Sequence, residues 1–450
     1  MTQATDTAAA LPAGRLRDPD YTPPLAQAVP LGIQHVLAMF ASNVTPALIV
    51  AGVAGLAGAD RIYMIQMAMT FAGVATLLQT IGVGPVGARL PIVQGTSFAF
   101  VPIMIPIAKT AGVGAVLGAT VIGGLFHFLL GTVIGRIRHL LPPLVTGIVV
   151  LTIGLALIPV GIRYAAGGVP LQGTPEFGAF NHWFLALLVI VVTVGIKFFA
   201  RGFLTAAGVL IGIVVGYVVA IPMGMVDFGR VAGAAWFEAP QPLRLGFEIN
   251  AAAVVGMCLM AVVSAIETVG DISGITKGGA GREATDKEIS GGTMADGLGT
   301  AIAGFFGALP NTSFSQNVGL IAMTGVMSRR VVTYGAIFLI AAGLIPKVGA
   351  LIAAMPIAVL GGGVIVMFGM VASAGLRMLG EVTMNRRNMV IIALALGLGL
   401  GLGLQAVPES MQHLPRTLSL LLVSGILPAA FIAVALNALL PAELEDDKAG

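Results

Sequence analysis

A chain of 450 residues that is 57% hydrophobic and only 10% charged, with a mean hydropathy of +1.00, lacks the charge that a water-exposed surface of its size needs. The net charge of +3 is small and scattered, which gives nucleic acid no footing as a partner, and the single cysteine, Cys258, excludes an internal disulfide. The sequence carries no metal-ligand cluster, no nucleophile with an adjacent base and no nucleotide loop, so it predicts no enzyme, no metal and no cofactor.

Residues 1–27 are polar and rich in Ala, Thr and Pro, without the basic start, apolar run and cleavage site of a signal peptide; they read as a disordered cytoplasmic tail. Fourteen apolar segments follow, near 30–55, 62–84, 91–108, 112–135, 141–162, 181–200, 203–223, 250–275, 288–308, 312–326, 330–346, 350–371, 388–405 and 416–439. A bilayer core needs about 20 apolar residues per helix, so these are candidate spans of a multi-pass protein embedded in lipid. Residues 441–450 form a second, acidic tail. Placing the amino end inside puts sixteen of the 23 Lys and Arg on the cytoplasmic side, Lys277 and Arg377 among them, and leaves seven outside, including Arg61, Arg163 and Arg230. Both termini are then cytoplasmic, and the expected location is the cytoplasmic (inner) membrane.

The third and tenth segments are short and interrupted, by Pro91, Pro102 and Pro106 in one and by Pro310 and Asn311 in the other. They share a pattern, Gly95-Thr96-Ser97-Phe98 against Asn311-Thr312-Ser313-Phe314. Pro142, Val145, Gly147 and Val150 of the fifth recur as Pro356, Val359, Gly361 and Val364 in the twelfth. Matching segments lie seven spans apart, an odd number, so the two halves run in opposite directions through the membrane. Helix breaks leave backbone N–H groups free, which lipid does not tolerate but a cavity or ligand does. Two opposed breaks therefore predict a midplane site.

Three acids lie deep in predicted spans: Glu267, Asp271 and Asp296. A carboxylate at the membrane centre costs roughly 2.5–3.5 kcal/mol even on the lenient insertion scale. Glu267 and Asp271 are four apart and share one helix face, which should look into a polar cavity. The plainer alternative for Asp271 is an ion pair with Lys277, and for Asp296 a structural hydrogen bond in the small-residue ninth span. In the first span Gln34-His35 interrupts an apolar run, and His35 reads either as a packing residue or as part of a polar network with those acids.

Gln316-Asn317-Val318-Gly319 followed by Thr324-Gly325 resembles the signature of the nucleobase–ascorbate transporter family, the nucleobase–cation symporters. Gln34-His35, Gln94-Gly95-Thr96-Ser97-Phe98 and Glu267-Thr268-Val269-Gly270-Asp271 are similar to its motifs in the first, third and eighth helices, and their order agrees from about residue 28 to 440. The resemblance implies an all-helical fold of fourteen segments in two inverted seven-segment repeats, with short antiparallel strands in segments 3 and 10. It implies a core domain from 28–135 and 250–346, a gate domain from 136–249 and 347–440, an elevator movement between them, and a homodimer. It also implies roles. Glu267 is the main substrate-binding carboxylate and Gln316 the second side-chain contact; Asn317 shapes the strand–helix junction, and Phe98 packs on the substrate ring. His35, Asp271 and Asp296 form the supporting network and proton route.

A planar oxopurine fits such a set. Its edge alternates N–H donors and C=O acceptors, which a carboxylate and an amide can match, and its face suits an aromatic ring. Gln at 316 resembles the xanthine and urate group, and the small Ala99 leaves room for urate as well as xanthine. The expected function is symport of an oxopurine with a proton. The proton lowers the cost of moving a carboxylate-lined site through lipid, because no Lys or Arg sits deep in the core spans. The alternatives are a symporter of uracil or another nucleobase on the same fold, a passive channel, and an inorganic-anion carrier; an anion carrier should replace Glu267 by a cationic or neutral group.

Overall fold

The computed structural model describes residues 15–137, 141–201, 203–404 and 408–441. Among them, eight helices are long and apolar enough to cross a membrane, or nine when one pair bent by 80° counts as a single span. The chain is a multi-pass membrane protein.

The first half contains α1 (Leu25–Val53), α2 (Gly58–Ile81), strand β1 (Gln94–Thr96), α3 (Val101–Ile137), α4 (Pro143–Ala165), α5 (Phe180–Phe199), α6 (Phe203–Ala206), α7 (Gly208–Ala220) and α8 (Gly229–Gly233). The second contains α9 (Ala251–Ile275), α10 (Asp286–Phe305), strand β2 (Asn311–Ser313), α11 (Ser315–Thr324), α12 (Arg329–Gly343), α13 (Pro346–Ala353), α14 (Ile357–Gly380), α15 (Arg386–Gly403), α16 (Arg416–Val423) and α17 (Ile426–Leu439). The third and fourth expected segments run together as α3, broken where Gly112 takes φ 82°. The fourteenth is split between α16 and α17 at Gly425, φ 69°. The twelfth starts later than expected. Residues 346–353 turn aside as α13, 80° from α12, and the long helix begins only after Pro356, since the residue before a proline avoids helical backbone.

Helices that gain nothing from hydrophobic association in lipid pack through small residues. Helices α4 and α14 lie antiparallel over their whole length. Gly147 near the start of α4 meets Leu379 at the end of α14, and Gly361 near the start of α14 meets Tyr164 and Ala165 at the end of α4. Gly154 against Ala372 and Gly375 against Leu151 fill the middle. The same device joins α2 to α12, through Gly73 and Gly343, and α3 to α10, through Gly124, Gly131 and Gly297.

The amino-terminal segment corrects one expectation. Residues 1–14 lie outside the described residues, as do 442–450 of the carboxy-terminal tail. Residues 15–24, expected to be disordered, are held against the start of α12. Met327 N–H donates to the Leu16 carbonyl at 2.8 Å and Arg329 N–H to that of Pro19 at 3.0 Å. The Arg329 guanidinium pairs with Asp20 at 2.6 Å and donates to the Thr80 carbonyl of α2 at 2.7 Å. Polar composition alone suggested disorder; partners more than 300 residues away supply the order.

Candidate functional site

Strands β1 and β2 pair antiparallel in the register Gln94 with Ser313, Gly95 with Thr312 and Thr96 with Asn311. Ser97 N–H to the Pro310 carbonyl (2.8 Å) and Phe314 N–H to that of Val93 (3.0 Å) extend the ladder at its two ends. Helices α3 and α11 leave it in opposite directions, each starting within a few residues of a strand. Val101 N–H of α3 donates to the Phe98 carbonyl at 3.1 Å and Asn317 N–H of α11 to that of Phe314 at 3.0 Å, so each helix is already closed at its first turn while its positive end stays at the strand pair.

Neighbouring helices fix this crossing through side chains. Asn43 of α1 accepts the Thr96 N–H at 2.8 Å and the Thr96 hydroxyl at 3.1 Å, while its own amide donates to the Ala68 carbonyl. Thr76 of α2 accepts the Gln94 N–H at 2.9 Å, and Thr300 of α10 accepts that of Asn311 at 3.0 Å. All six strand residues belong to the buried interior.

The three membrane acids gather around this pair. Asp296 of α10 accepts from the amides of Gln79 (2.8 Å) and Gln94 and from the Thr268 hydroxyl. Asp271 of α9 accepts from the hydroxyls of Ser313 and Ser315, each at 2.7 Å. Lys277 does not pair with it, turning instead to Glu283 at 3.1 Å. Glu267, one turn earlier on α9, is near enough to both aspartates for their charges to interact. Its Oε2 is buried and has no hydrogen-bond partner among the described residues. A buried charged acceptor left unpaired costs about 1–3 kcal/mol or more. Among the three acids only Glu267 has such an oxygen, and Gln94 Oε1, Ser97 Oγ, Asn311 Nδ2 and Asn317 Oδ1 beside it are buried without partners among the described residues too.

Gln316 and Asn317 begin α11. The Gln316 amide donates to the Ser42 hydroxyl of α1 at 3.3 Å, and Ser42 reaches the Met367 sulfur of α14 at 2.9 Å. The Asn317 amide nitrogen lies 3.1 Å from the His35 carbonyl and 2.9 Å from His35 Nδ1. A carbonyl can only accept, so this amide donates, and His35 Nδ1 is the acceptor in the tautomer with its proton on Nε2. His35 is therefore placed with Asn317 and makes no hydrogen bond to the acids. Phe98 is 7% exposed and meets Phe368 of α14 edge to face, with ring centroids 4.9 Å apart; Ala99 behind it is buried.

A cavity of about 750 Å³ separates α9 and α11 from α4 and α14. Asp271 and Ser315 stand in its wall with Thr146, and Lys277, Glu283, Arg377 and Glu381 line it as well. Lys277 and Arg377 are among the cations that the charge bias of the sequence expects on the cytoplasmic side. Among the described residues no group of three His, Cys, Asp or Glu could hold a metal ion.

The acids, the breaks and the Gln316-Asn317 pair are visible in the sequence. The donors that hold the acids were not singled out there. Gln94 and Ser313 sat within the noted segments, whereas Gln79 and Ser42 look like ordinary polar residues in apolar helices.

The sequence profile described as "Permease family" matches residues 26–409. A putative purine permease of Clostridium perfringens is 39% identical over 92% of this chain and 91% of its own length. The xanthine permease of Bacillus subtilis is 37% identical, covering 90% of this chain and 92% of its own. The uric acid transporter UacT of Escherichia coli is 38% identical, over 90% and 84%. Among solved structures, the transmembrane domain of the cyanobacterial bicarbonate transporter BicA aligns with a TM-score of 0.56 at 17% identity, covering 92% of this chain and 97% of that one. At that identity the likeness concerns the fold alone.

Proposed function

Because this chain belongs to the permease family of nucleobase–ascorbate transporters, we propose that it imports an oxopurine, xanthine or urate or both, together with a proton across the cytoplasmic membrane. The protein is a transporter of that family and not an enzyme. The observation that carries the substrate reading is the unpartnered Glu267 oxygen one helical turn before Asp271, which itself lines the cavity of about 750 Å³, although Glu267, Gln316 and Phe98 stand behind that wall. Glu267 takes two ring N–H groups, the Gln316 amide takes a neighbouring donor–acceptor edge, and Phe98 covers the face, with Ala99 leaving room beside it. The names of the similar permeases, which transport xanthine or uric acid, support the same class.

Coupling follows from the charge balance. The site holds three acids, and among the described residues none is in an ion pair. Moving a carboxylate-lined site through a low-dielectric barrier is costly, and one proton on the Glu267–Asp271 pair reduces that cost. Asp296 supports the site through Gln94 of the strand pair, and His35 does so only through Asn317. In this reading α1–α3 and α9–α12 form the moving core, the remaining helices form the gate, and fourteen segments in two inverted halves slide as an elevator. The cavity between α9/α11 and α4/α14 would then be the inner half of the path.

Reconstituted protein tests this directly. An inward pH gradient should drive saturable accumulation of labelled xanthine or urate with no sodium present. Uptake that follows a sodium gradient and ignores pH would end the proton reading, and accumulation of uracil alone would move the substrate to pyrimidines.

A further inference from the structure

At the opposite end of α4 and α14 from the inner cavity, two smaller spaces lie one above the other. The outer, about 260 Å³, is lined by Arg61, Asp227 and Arg230 together with the turn before α14. The inner, about 30 Å³, is walled by Arg61, Tyr164, Leu48 and Leu360. Arg61, Met355 and Ile357 border both, so Arg61 stands at the constriction where the start of α2 meets the gate helices.

The charges here do not balance. Arg61 Nε is buried without a hydrogen-bond partner among the described residues. Its neighbour Asp60 turns away to Arg244 at 3.6 Å. Asp227 faces the outer space, but its carboxylate accepts the Gly229 N–H at 2.8 Å and closes its own turn. Arg230 is close enough for its charge to act on Arg61, as is the Tyr164 phenol. Two guanidiniums thus share a half-enclosed space with one carboxylate, and one charged N–H points at nothing. Desolvating such a donor without a partner is unfavourable, and a small anion entering from outside would satisfy it.

We propose that Arg61, with Arg230 beside it, forms an outer anion site that receives the substrate in its anionic form before it reaches the strand pair. This rests on the reading of the chain as an oxopurine carrier. Loss of a ring N–H proton spreads negative charge over adjacent oxygen and nitrogen atoms of an oxopurine, and a guanidinium fork matches that edge with two parallel charge-assisted hydrogen bonds. A neutral base of the same shape accepts the same N–H groups but lacks the attraction between opposite charges, so it gains less there.

The test uses the full chain in right-side-out vesicles, with urate as the anionic probe and hypoxanthine as the neutral one. Arg61→Gln should raise the KM for urate about tenfold, the loss of one charge-assisted hydrogen bond, with kcat unchanged. The inhibition constant of hypoxanthine should stay as in the parent, and Arg61→Lys should recover most of the urate affinity. In parallel, phenylglyoxal labelling of Arg61 in the parent protein, read by mass spectrometry of its peptide, should be slowed by urate and untouched by hypoxanthine. Equal shifts for both bases, or labelling that urate does not slow, would overturn the site. If the parent imports no purine, the carrier reading fails by itself, and the labelling still decides: protection upholds the anion site and its absence removes it. The labelling also decides if the variants never reach the membrane.

Discussion

Gln94 and Ser313 face each other across the strand pair, and each gives its side chain to a different carboxylate, Gln94 to Asp296 and Ser313 to Asp271. The two helices α9 and α10 therefore hold the crossing from its two sides. The acids are as much part of the scaffold as of the site.

Removing one anchor should loosen the crossing. Asp296→Ala strands the donors of Gln94 and Thr268, each roughly 1–3 kcal/mol when buried and unpaired, and leaves the Gln79 amide with only the Gly292 carbonyl, although the losses will not simply add. The purified variant should melt several degrees lower than the parent, while Asp296→Asn, which keeps one acceptor, should lose less. An unchanged melting temperature for the alanine variant would mean that the strands hold without this anchor.

Gln316 of α11 is linked through Ser42 of α1 to Met367 of α14. Gln316→Glu replaces an amide that both donates and accepts by a group that only accepts when ionised. Competition against labelled xanthine should then favour bases with an extra ring N–H at that edge. An unaltered order of competing bases would remove Gln316 from the contact surface.

The antiparallel seam of α4 and α14 has no room for side chains at its glycines. A Cβ at Gly154 or Gly361 would overlap the backbone of Ala372 or Ala165. Gly154→Leu should cost about 3 kcal/mol or more through overpacking and separation of the helices. Membrane content measured by immunoblot should fall sharply. Gly369→Leu on α14, where nothing lies within 4 Å, should be tolerated.

Arg329 ties residues 15–24 to α2 and α12. Arg329→Ala should lower the melting temperature modestly, since the pair is partly exposed and worth about 1 kcal/mol. It should also speed trypsin cleavage after Arg15 and Arg17, which are exposed but sit on a segment held in place. Cleavage at the parent rate would show that the carbonyl contacts of Leu16 and Pro19 suffice.

How much of this was legible beforehand depends on whether the signal was local. Glu267, Asp271 and Asp296 stood out because charge in an apolar run is expensive wherever it occurs. The strands were legible because proline and polar residues broke two segments at matching places. The docking of residues 15–24 was not, since nothing in Arg15–Pro24 itself indicates a partner near residue 328. Gln79 was equally silent, becoming meaningful only beside an aspartate 217 residues away. His35 shows the limit of reasoning by residue type: an imidazole and three acids suggest one network, whereas the backbone crossing sets His35 against Asn317.

The most direct measurement is binding of labelled xanthine and urate to purified protein and to its Glu267→Gln variant, with membrane insertion and melting checked in both. The parent should bind at least one of them saturably, and the variant should bind it about a hundredfold more weakly or not at all, as expected when two charge-assisted hydrogen bonds are lost. Equal affinity in the two proteins would contradict the assignment of that carboxylate to the substrate.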